Sequence, residues 1–568
     1  MKRLTKYLKG YYAETVLGPL LKLAEATLEL IVPLVIAAIV DRGIAAGDRG
    51  FIMWMSLLLV GLGAVGLGFS VTAQYFCAKA SVGFITKLRR ALFAKMQTLT
   101  YTDIDKIGTS TMITRMTADT TRVQTGLNLA LRLLLRSPFV VFGAAIMAFT
   151  VDVRSALTFV LAIPVLSVII FGIMLITMPM HKRVQHGTDS LVEKTRENLS
   201  GVRVIRAFCK EDEELSDFRQ KNGELVHTQT AVGRISALMN PLTYIVINLA
   251  IIWLIDIGAV QVSLGKLTSG EVLALYNYMS QILIELIKLA NLIITITKAL
   301  ASASRISEAL SLTPSNSHGS ITEGRPDAPA VELKSVSLTY AGAGAPSLSD
   351  ISFTALRGET VGIIGGTGSG KTSLINLIPA FYYASEGEVR VFGVEASSYN
   401  PHALRKKIGI APQKAVLFRG SIRDNMLKGC PTATDEEIFS ALERAQIKDT
   451  VIEKGGLDAE IEQGGANLSG GQKQRLSVAR ALLGNPEILI LDDSSSALDL
   501  ATDAAMRRAI SEIPGDVTVF IVSQRASAVM HADKIIVIDD GRAVGIGTHD
   551  ELIEECEVYR EIYESQFS

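Results

Sequence analysis

The chain has 568 residues, 56 Lys and Arg against 57 Asp and Glu for a net charge of −1, and 48% hydrophobic residues. That length exceeds what one hydrophobic core organises, so two or more domains are expected. The hydrophobic share, with a positive mean hydropathy, argues against an ordinary soluble protein, and the balanced charge gives no basis for nucleic-acid binding. The four cysteines, Cys77, Cys209, Cys430 and Cys556, show neither C-x-x-C nor zinc-ligand spacing, so no disulfide framework or metal centre is suggested.

The chain opens with the basic run Met1-Lys2-Arg3-Leu4-Thr5-Lys6. No short apolar core with a small-residue cleavage site follows, so the run does not read as a cleaved signal peptide. To about Tyr12 it reads as an amphipathic helix at the cytoplasmic face. Six apolar stretches come next, near residues 15–42, 51–78, 127–150, 154–180, 233–262 and 270–298. Each exceeds the ~20 helical residues that cross ~30 Å of hydrocarbon. A buried core helix is the rival for any one of them, and a weak rival for six in succession.

The connections near 43–50, 151–153 and 263–269 are short, whereas those near 79–126 and 181–232 are long, polar and helix-patterned. The long ones carry Lys87, Arg89, Arg90, Lys95, Lys182, Arg183, Arg203, Arg206 and Lys210. Positive charge beside spans marks the cytoplasmic side, so both loops and the N-terminus are expected inside. Pro33, Pro138, Pro164 and Pro241 are candidate kinks. Lys22, Glu25 and Glu29 in the first span, Arg132 and Arg136 in the third, Asp256 in the fifth and Glu285 with Lys288 in the sixth are charges at membrane depth. Such residues line a substrate cavity, or pair internally and snorkel at span ends; pairing is the favoured reading.

A membrane domain is therefore placed at 1–310 and a turn-rich linker at 311–330. From Val331 to Ser568, short β-like runs alternate with helices as in an α/β nucleotide domain. Tyr340 ends the strand-like run Val331–Thr339 and is a candidate adenine stacker or an ordinary strand aromatic. The octet Gly365-Gly366-Thr367-Gly368-Ser369-Gly370-Lys371-Thr372 follows the strand-like Thr360–Ile364 and precedes an apolar helical run. In that setting G-x-x-x-x-G-K-[ST] is a phosphate loop. Its backbone N–H groups cradle phosphates, Lys371 reaches the β- and γ-phosphates, and Thr372 ligates Mg2+. Leu468-Ser469-Gly470-Gly471-Gln472 precedes a helix whose N–H groups suit a phosphate. Ile488-Leu489-Ile490-Leu491-Asp492 is a buried strand ending in a carboxylate suited to Mg2+.

In this order the motifs resemble a half-transporter of the ATP-binding cassette exporter family over essentially the whole chain. Leu468–Gln472 reproduces the family signature. Tyr340 (adenine stacking), Gln413, Asp492 and Ser496-Ala497-Leu498-Asp499 in the interface-crossing loop stand in the family's order. Glu197–Phe208 is similar to the second coupling segment, and Thr98–Ile107 sits where the first belongs. The resemblance implies an all-α six-helix membrane domain with long cytosolic helical loops, followed by an α/β phosphate-loop domain. It also implies a multi-pass cell-membrane location with the N-terminus and nucleotide domain cytoplasmic. ATP and Mg2+, the latter on Thr372, Gln413 and Asp492, are the implied cofactors. ATP is expected between one chain's phosphate loop and another chain's signature, so 568 residues hold half a transporter.

Two residues depart from the family. After Asp492 the catalytic position is normally glutamate; here Asp493 is shorter by one methylene, about 1 Å of reach, and a misplacement of that size costs on the order of 10²-fold in rate. The switch position, normally histidine, is Gln524, which forms hydrogen bonds but takes no positive charge. The expectation is a site that binds ATP and hydrolyses it poorly, within a heterodimeric multidrug-type exporter of small hydrophobic or amphipathic compounds. Membrane lipids and a second half-transporter are the expected partners. Lipid or peptide export by the same motor and an ATP-gated channel or regulator are the alternatives. An importer is disfavoured because spans and cassette share one chain, and a soluble ATPase because it lacks the spans.

Overall fold

The computed structural model of the chain describes residues 4–313, 319–494 and 498–567. Residues 314–318 of the expected linker, and Ser496 and Ala497 of the interface loop, lie outside the described residues. The chain forms two compact units, Met1–Gln97 with Ser110–Leu312, and Thr98–Thr109 with Thr313–Ser568.

Among the described residues the first unit holds six helices long and apolar enough to cross a membrane: α1 Tyr12–Ile44, α2 Arg49–Thr98, α3 Thr109–Val151, α4 Val153–Ser200, α5 Glu211–Ser263 and α6 Ser269–Ser311. The polar connections near 79–126 and 181–232 are largely continuations of these helices. At 50 residues, α2 extends ~75 Å, more than twice the hydrocarbon thickness. Side-chain caps set the short connections. Asp152 accepts from the Ser155 N–H at 2.7 Å to start α4, and Thr268 with Glu271 forms a capping box on α6.

Leu30, Val140, Phe159, Leu166, Leu254, Tyr278 and Ile282 build the core of this unit. Ala26, Ala144, Ala156, Ala162 and Ala274 lie among them and let the helix backbones approach closely. None of these residues comes from α2, and no residue of its most apolar window is buried. Most of the charges at membrane depth are paired, while among the described residues Arg132 and Asp256 have no ion-pair partner. Arg136 of α3 donates to Glu285 of α6 at 2.9 Å and to Glu29 of α1 at 2.5 Å. Glu285 also accepts from Lys288 and from Ser137, both at 2.8 Å. Lys22 donates to Glu25 at 2.5 Å.

The second unit carries β1 Val331–Leu338, β2 Leu348–Ala355, β3 Thr360–Ile364, β4 Glu386–Val391, β5 Val394–Glu395, β6 Ile408–Ala411, β7 Gly420–Ser421, β8 Glu460–Ile461, β9 Ile488–Asp492, β10 Thr518–Ser523, β11 Lys534–Asp539 and β12 Arg542–Gly547. One sheet runs β12-β11-β3-β10-β9-β6, another β2-β1-β4-β5, and β7 pairs with β8. In the first sheet β11, β3, β10, β9 and β6 are parallel and β12 is an antiparallel edge. Parallel strands are covered on both faces and read as unbroken apolar runs, as β9 does. Its Ile488 and Ile490 enter one core with Val361, Phe520 and Ile536, while Leu489 and Leu491 enter another with Leu476 and Val519.

Thr98–Thr109 belongs to this unit through a short helix, Tyr101–Ile107, started by a capping box of Thr100 and Asp103. The Tyr382 hydroxyl donates to Asp105 at 2.6 Å, and the Tyr101 ring lies 4.7 Å from that of Phe381.

Candidate nucleotide site

Four parallel strands end on the same edge of the main sheet, and each delivers chemistry just past its last residue. Loops beyond the carboxyl ends of adjacent strands are where α/β sheets bind ligands. From β3 comes Gly365–Gly370, from β6 Gln413, from β9 Asp492 with Asp493, and from β10 Gln524. Thr367, Gly368 and Gly370 of the loop, with Lys371, Thr372, Gln413, Asp492, Asp493 and Gln524, line one cleft of about 480 Å³.

The loop's glycines are required by space and by conformation. A Cβ on Gly365 would fall 2.0 Å from the Ile538 carbonyl oxygen. Gly370 has φ +106°, a left-handed conformation from which the helix α7, Lys371–Ile375, departs. Behind the loop, the Gly541 N–H donates to the Ser369 carbonyl at 3.0 Å. The Lys371 ammonium donates to the carbonyls of Gly365 at 2.9 Å and Gly366 at 2.6 Å. Burial holds this lysine below the ordinary lysine range, while Asp493 and Asp492 pull it back up. A cation thus held at the mouth of a loop of N–H groups suits a phosphate chain.

The Thr372 hydroxyl lies 3.1 Å from each oxygen of Asp492. Burial pushes the Asp492 carboxyl above the usual aspartate range; the Thr372 hydrogen bond opposes this and the neighbouring Asp493 charge adds to it. A desolvated carboxylate beside a hydroxyl is a hard oxygen pair whose ionised form a cation would favour, which fits Mg2+. No group of three His, Cys, Asp or Glu among the described residues offers a full metal cage.

Asp493 sits at φ +45°, with its N–H donating to the Val522 carbonyl at 2.9 Å, so the end of β9 is tied to β10. Its carboxylate accepts from the Gln413 amide at 3.4 Å. The Gln524 side-chain oxygen accepts from the Thr367 hydroxyl of the phosphate loop at 3.3 Å. Asp493 and Gln524 therefore flank the loop from two neighbouring strands, each turned onto a neutral partner.

Other expected residues lie outside this cleft. The half-buried Tyr340 donates to Ser373 at 3.0 Å and meets Tyr382 edge to face at 4.9 Å. Leu468 is buried and Ser469 exposed. Ser469 caps α8, Gly470–Leu482, in a box with Gln472, and none of Leu468, Ser469, Gly470, Gly471 and Gln472 lines the cleft. Asp499 caps α9, Leu500–Ser511, by accepting from the Thr502 N–H at 2.9 Å; this backbone hydrogen bond holds its carboxyl below the usual range.

One residue of the site has no sequence signal. Gln566, on the last helix α10 (Glu557–Phe567), donates to the main-chain carbonyl of Gln524 at 2.8 Å and accepts from the Ala526 N–H at 2.8 Å. Its amide thus clamps the backbone on both sides of Arg525. A lone glutamine in an amphipathic helix carries no motif that would reveal this.

Comparison with known proteins shows the family and the fold. Residues 15–286 match the family model for the ABC transporter transmembrane region, and residues 348–496 that for the ABC transporter. An uncharacterized ABC transporter ATP-binding protein of Mycobacterium tuberculosis (strain ATCC 25618 / H37Rv) is 34% identical, the match covering 99% of this chain and 97% of the relative. A Bacillus subtilis (strain 168) relative named "Probable multidrug resistance ABC transporter ATP-binding/permease protein" is 32% identical over 100% of this chain and 97% of its own. The structure of a bacterial Atm1-family ABC exporter with ATP bound superposes with a TM-score of 0.80 at 22% identity, covering 99% of both chains, which shows a shared fold.

Proposed function

The chain belongs to the ABC transporter family, and on that premise we propose that it is one half of a heterodimeric exporter of hydrophobic or amphipathic compounds whose own nucleotide site chiefly holds ATP. It is a multi-pass membrane protein with a cytoplasmic ATPase domain. The observation that carries the reading is the pair Asp493 and Gln524, both lining the cleft beside Lys371. In the family these positions are normally glutamate and histidine. Aspartate stops short of where a glutamate would position water, and glutamine offers the γ-phosphate no positive charge.

Each residue's part follows from its place. Loop N–H groups and Lys371 grip the β- and γ-phosphates, and Thr372 and Asp492, with Gln413, would hold Mg2+. That ion, when bound, neutralises charge on the phosphoryl oxygens. Gln566 keeps the Gln524 backbone in register with the loop. Hydrogen bonds to neutral neighbours at Asp493 and Gln524 suit retention of nucleotide more than turnover.

Two surfaces support a second half-transporter. The capped signature Leu468–Gln472 stands outside the cleft and is available to another chain's phosphate loop. No residue of the apolar window of α2 is fully buried within its own chain. ATP held between two chains favours their closed state by its differential affinity, and closure would drive alternating access. The named multidrug relative supports the substrate class.

The test restores both residues. Asp493→Glu with Gln524→His is expected to raise ATP hydrolysis at this site by about 10²-fold, measured on the full chain in liposomes with its partner half carrying an inactivated phosphate loop. The unaltered chain by itself is expected to show little ATPase. Vigorous turnover by a homodimer, or no gain from the double substitution, overturns the asymmetric reading.

A further inference from the structure

The N-terminal turn, Thr5–Leu8, covers a cavity of about 150 Å³ within the membrane unit. Its wall is almost wholly carbon: Leu4 and Leu8 from the turn, Phe84 from α2, Val123 and Leu127 from α3, and Leu300 from α6. An apolar cavity of roughly this size, 150 Å³ in a well-studied engineered case, stays dry and accepts a benzene-sized solute. Water gains nothing here, and about six carbons of a chain would fit.

Three lysines neighbour the lining residues along the chain. Lys6 and Lys9 project from the turn and are exposed. Lys87 lies one helical turn beyond Phe84 on the same helix, and residues three apart share a face. Its ammonium donates to the Lys9 carbonyl at 2.6 Å and stands 4.9 Å over the Tyr11 ring, so it is held against the turn. Among the described residues none of these three lysines has an ion-pair partner. Nearby carboxylates are engaged elsewhere: Glu14 with Lys79 at 2.9 Å, and Asp119 with Arg305 at 2.9 Å.

A carbon-lined pocket whose lining residues adjoin three lysines without ion-pair partners, at the interfacial end of membrane helices, has the chemistry of one membrane constituent. We propose that this pocket binds one acyl chain of an anionic phospholipid, with its phosphate held by Lys6, Lys9 and Lys87. The lipid then fastens the N-terminal turn to α2, α3 and α6 at once. The charge selects the headgroup, because interfacial lysines are attracted to anionic lipid and not to zwitterionic lipid. This assignment stands whatever compound the transporter exports and whichever chain it pairs with.

The experiment uses the full chain in nanodiscs doped with phosphatidylglycerol or phosphatidylcholine, each bearing the same mid-chain diazirine. Cross-linked peptides are mapped by mass spectrometry. Peptides containing Leu127 and Ala299 are expected to carry the label, with phosphatidylglycerol favoured by about tenfold. Ala130→Phe, which fills the pocket, is expected to abolish labelling of these peptides. Lys6→Gln/Lys9→Gln/Lys87→Gln leaves the carbon wall intact and is expected to equalise the two lipids, so the proposal stays testable if the filled variant folds poorly. Equal labelling of the unaltered chain by both lipids, absence of label from these peptides, or a lipid preference unchanged by the lysine substitutions overturns it.

Discussion

The nucleotide unit carries the phosphate-loop cleft and the Leu468–Gln472 helix start, which are built in opposite ways. At the strand ends, residues as far apart as Thr367 and Gln524, 157 positions, converge on one cleft, and several of their polar groups have only makeshift partners. Lys371 leans on loop carbonyls, and Gln413 reaches Asp493 at 3.4 Å. The signature is local and self-satisfied: Ser469 accepts from the Gln472 N–H at 3.3 Å, and the Gln472 side chain accepts from the Ser469 N–H at 3.0 Å. A surface assembled from distant strands is ready to receive a ligand by itself. On the function proposed, the capped helix start meets a phosphate carried by another chain. The contrast is what a site shared between two chains requires, in line with the function proposed.

The comparison can be broken at three points, in descending order of expected effect. Lys371→Ala removes the lysine that lines the cleft and is expected to weaken MgATP binding to the full chain by on the order of 10²-fold. Titration with a fluorescent ATP analogue measures this, and undiminished binding would mean the cleft is not the primary nucleotide site. Ser469→Arg is expected to leave that binding within about twofold while lowering transport in the assembled heterodimer by on the order of 10²-fold, the scale of losing a preorganised phosphate donor. A parallel loss of binding to the chain's own cleft would show that the two surfaces are not separate.

The smallest effect concerns Asp492. Its carboxyl is raised above the usual aspartate range, chiefly by burial, so the native state binds that proton more tightly than the unfolded chain does. The associated stability is fully present below the unfolded-state value and is lost as pH rises through the folded-state value. Asp492→Asn removes the cost of an ionised buried carboxylate. At neutral pH and without nucleotide it is expected to raise the melting temperature by about 2 °C, with the gain shrinking as the solution is acidified. Stabilisation by MgATP is expected to disappear in the same variant. Differential scanning fluorimetry across pH separates the two, and a lower melting temperature without nucleotide would refute the desolvation argument.

How far each feature could be read depended on the range of the interactions behind it. Six apolar stretches and a β/α alternation appear as six long helices and a mixed α/β unit, because hydrocarbon thickness and strand burial write themselves into consecutive residues. Glu285 could be matched to Lys288 from helical spacing alone. Its partnership with Arg136, and through that residue with Glu29, joins three helices and has no local trace. Gln566 was likewise invisible, since its partners are backbone groups at Gln524 and Ala526, and backbone groups leave no mark in composition.

The amino-acid sequence by itself determined the family resemblance, the presence of a phosphate loop, and the two unusual residues Asp493 and Gln524. Those features are carried by side-chain identity at close spacing, where conformation follows from local sterics and hydrogen bonding. Only the tertiary structure decided that Asp493 rests on Gln413 and Gln524 on Thr367. It alone left a carbon-lined pocket under the N-terminal turn. Each of these depends on which strand ends and helix faces become neighbours, and that is set by the packing of the whole core.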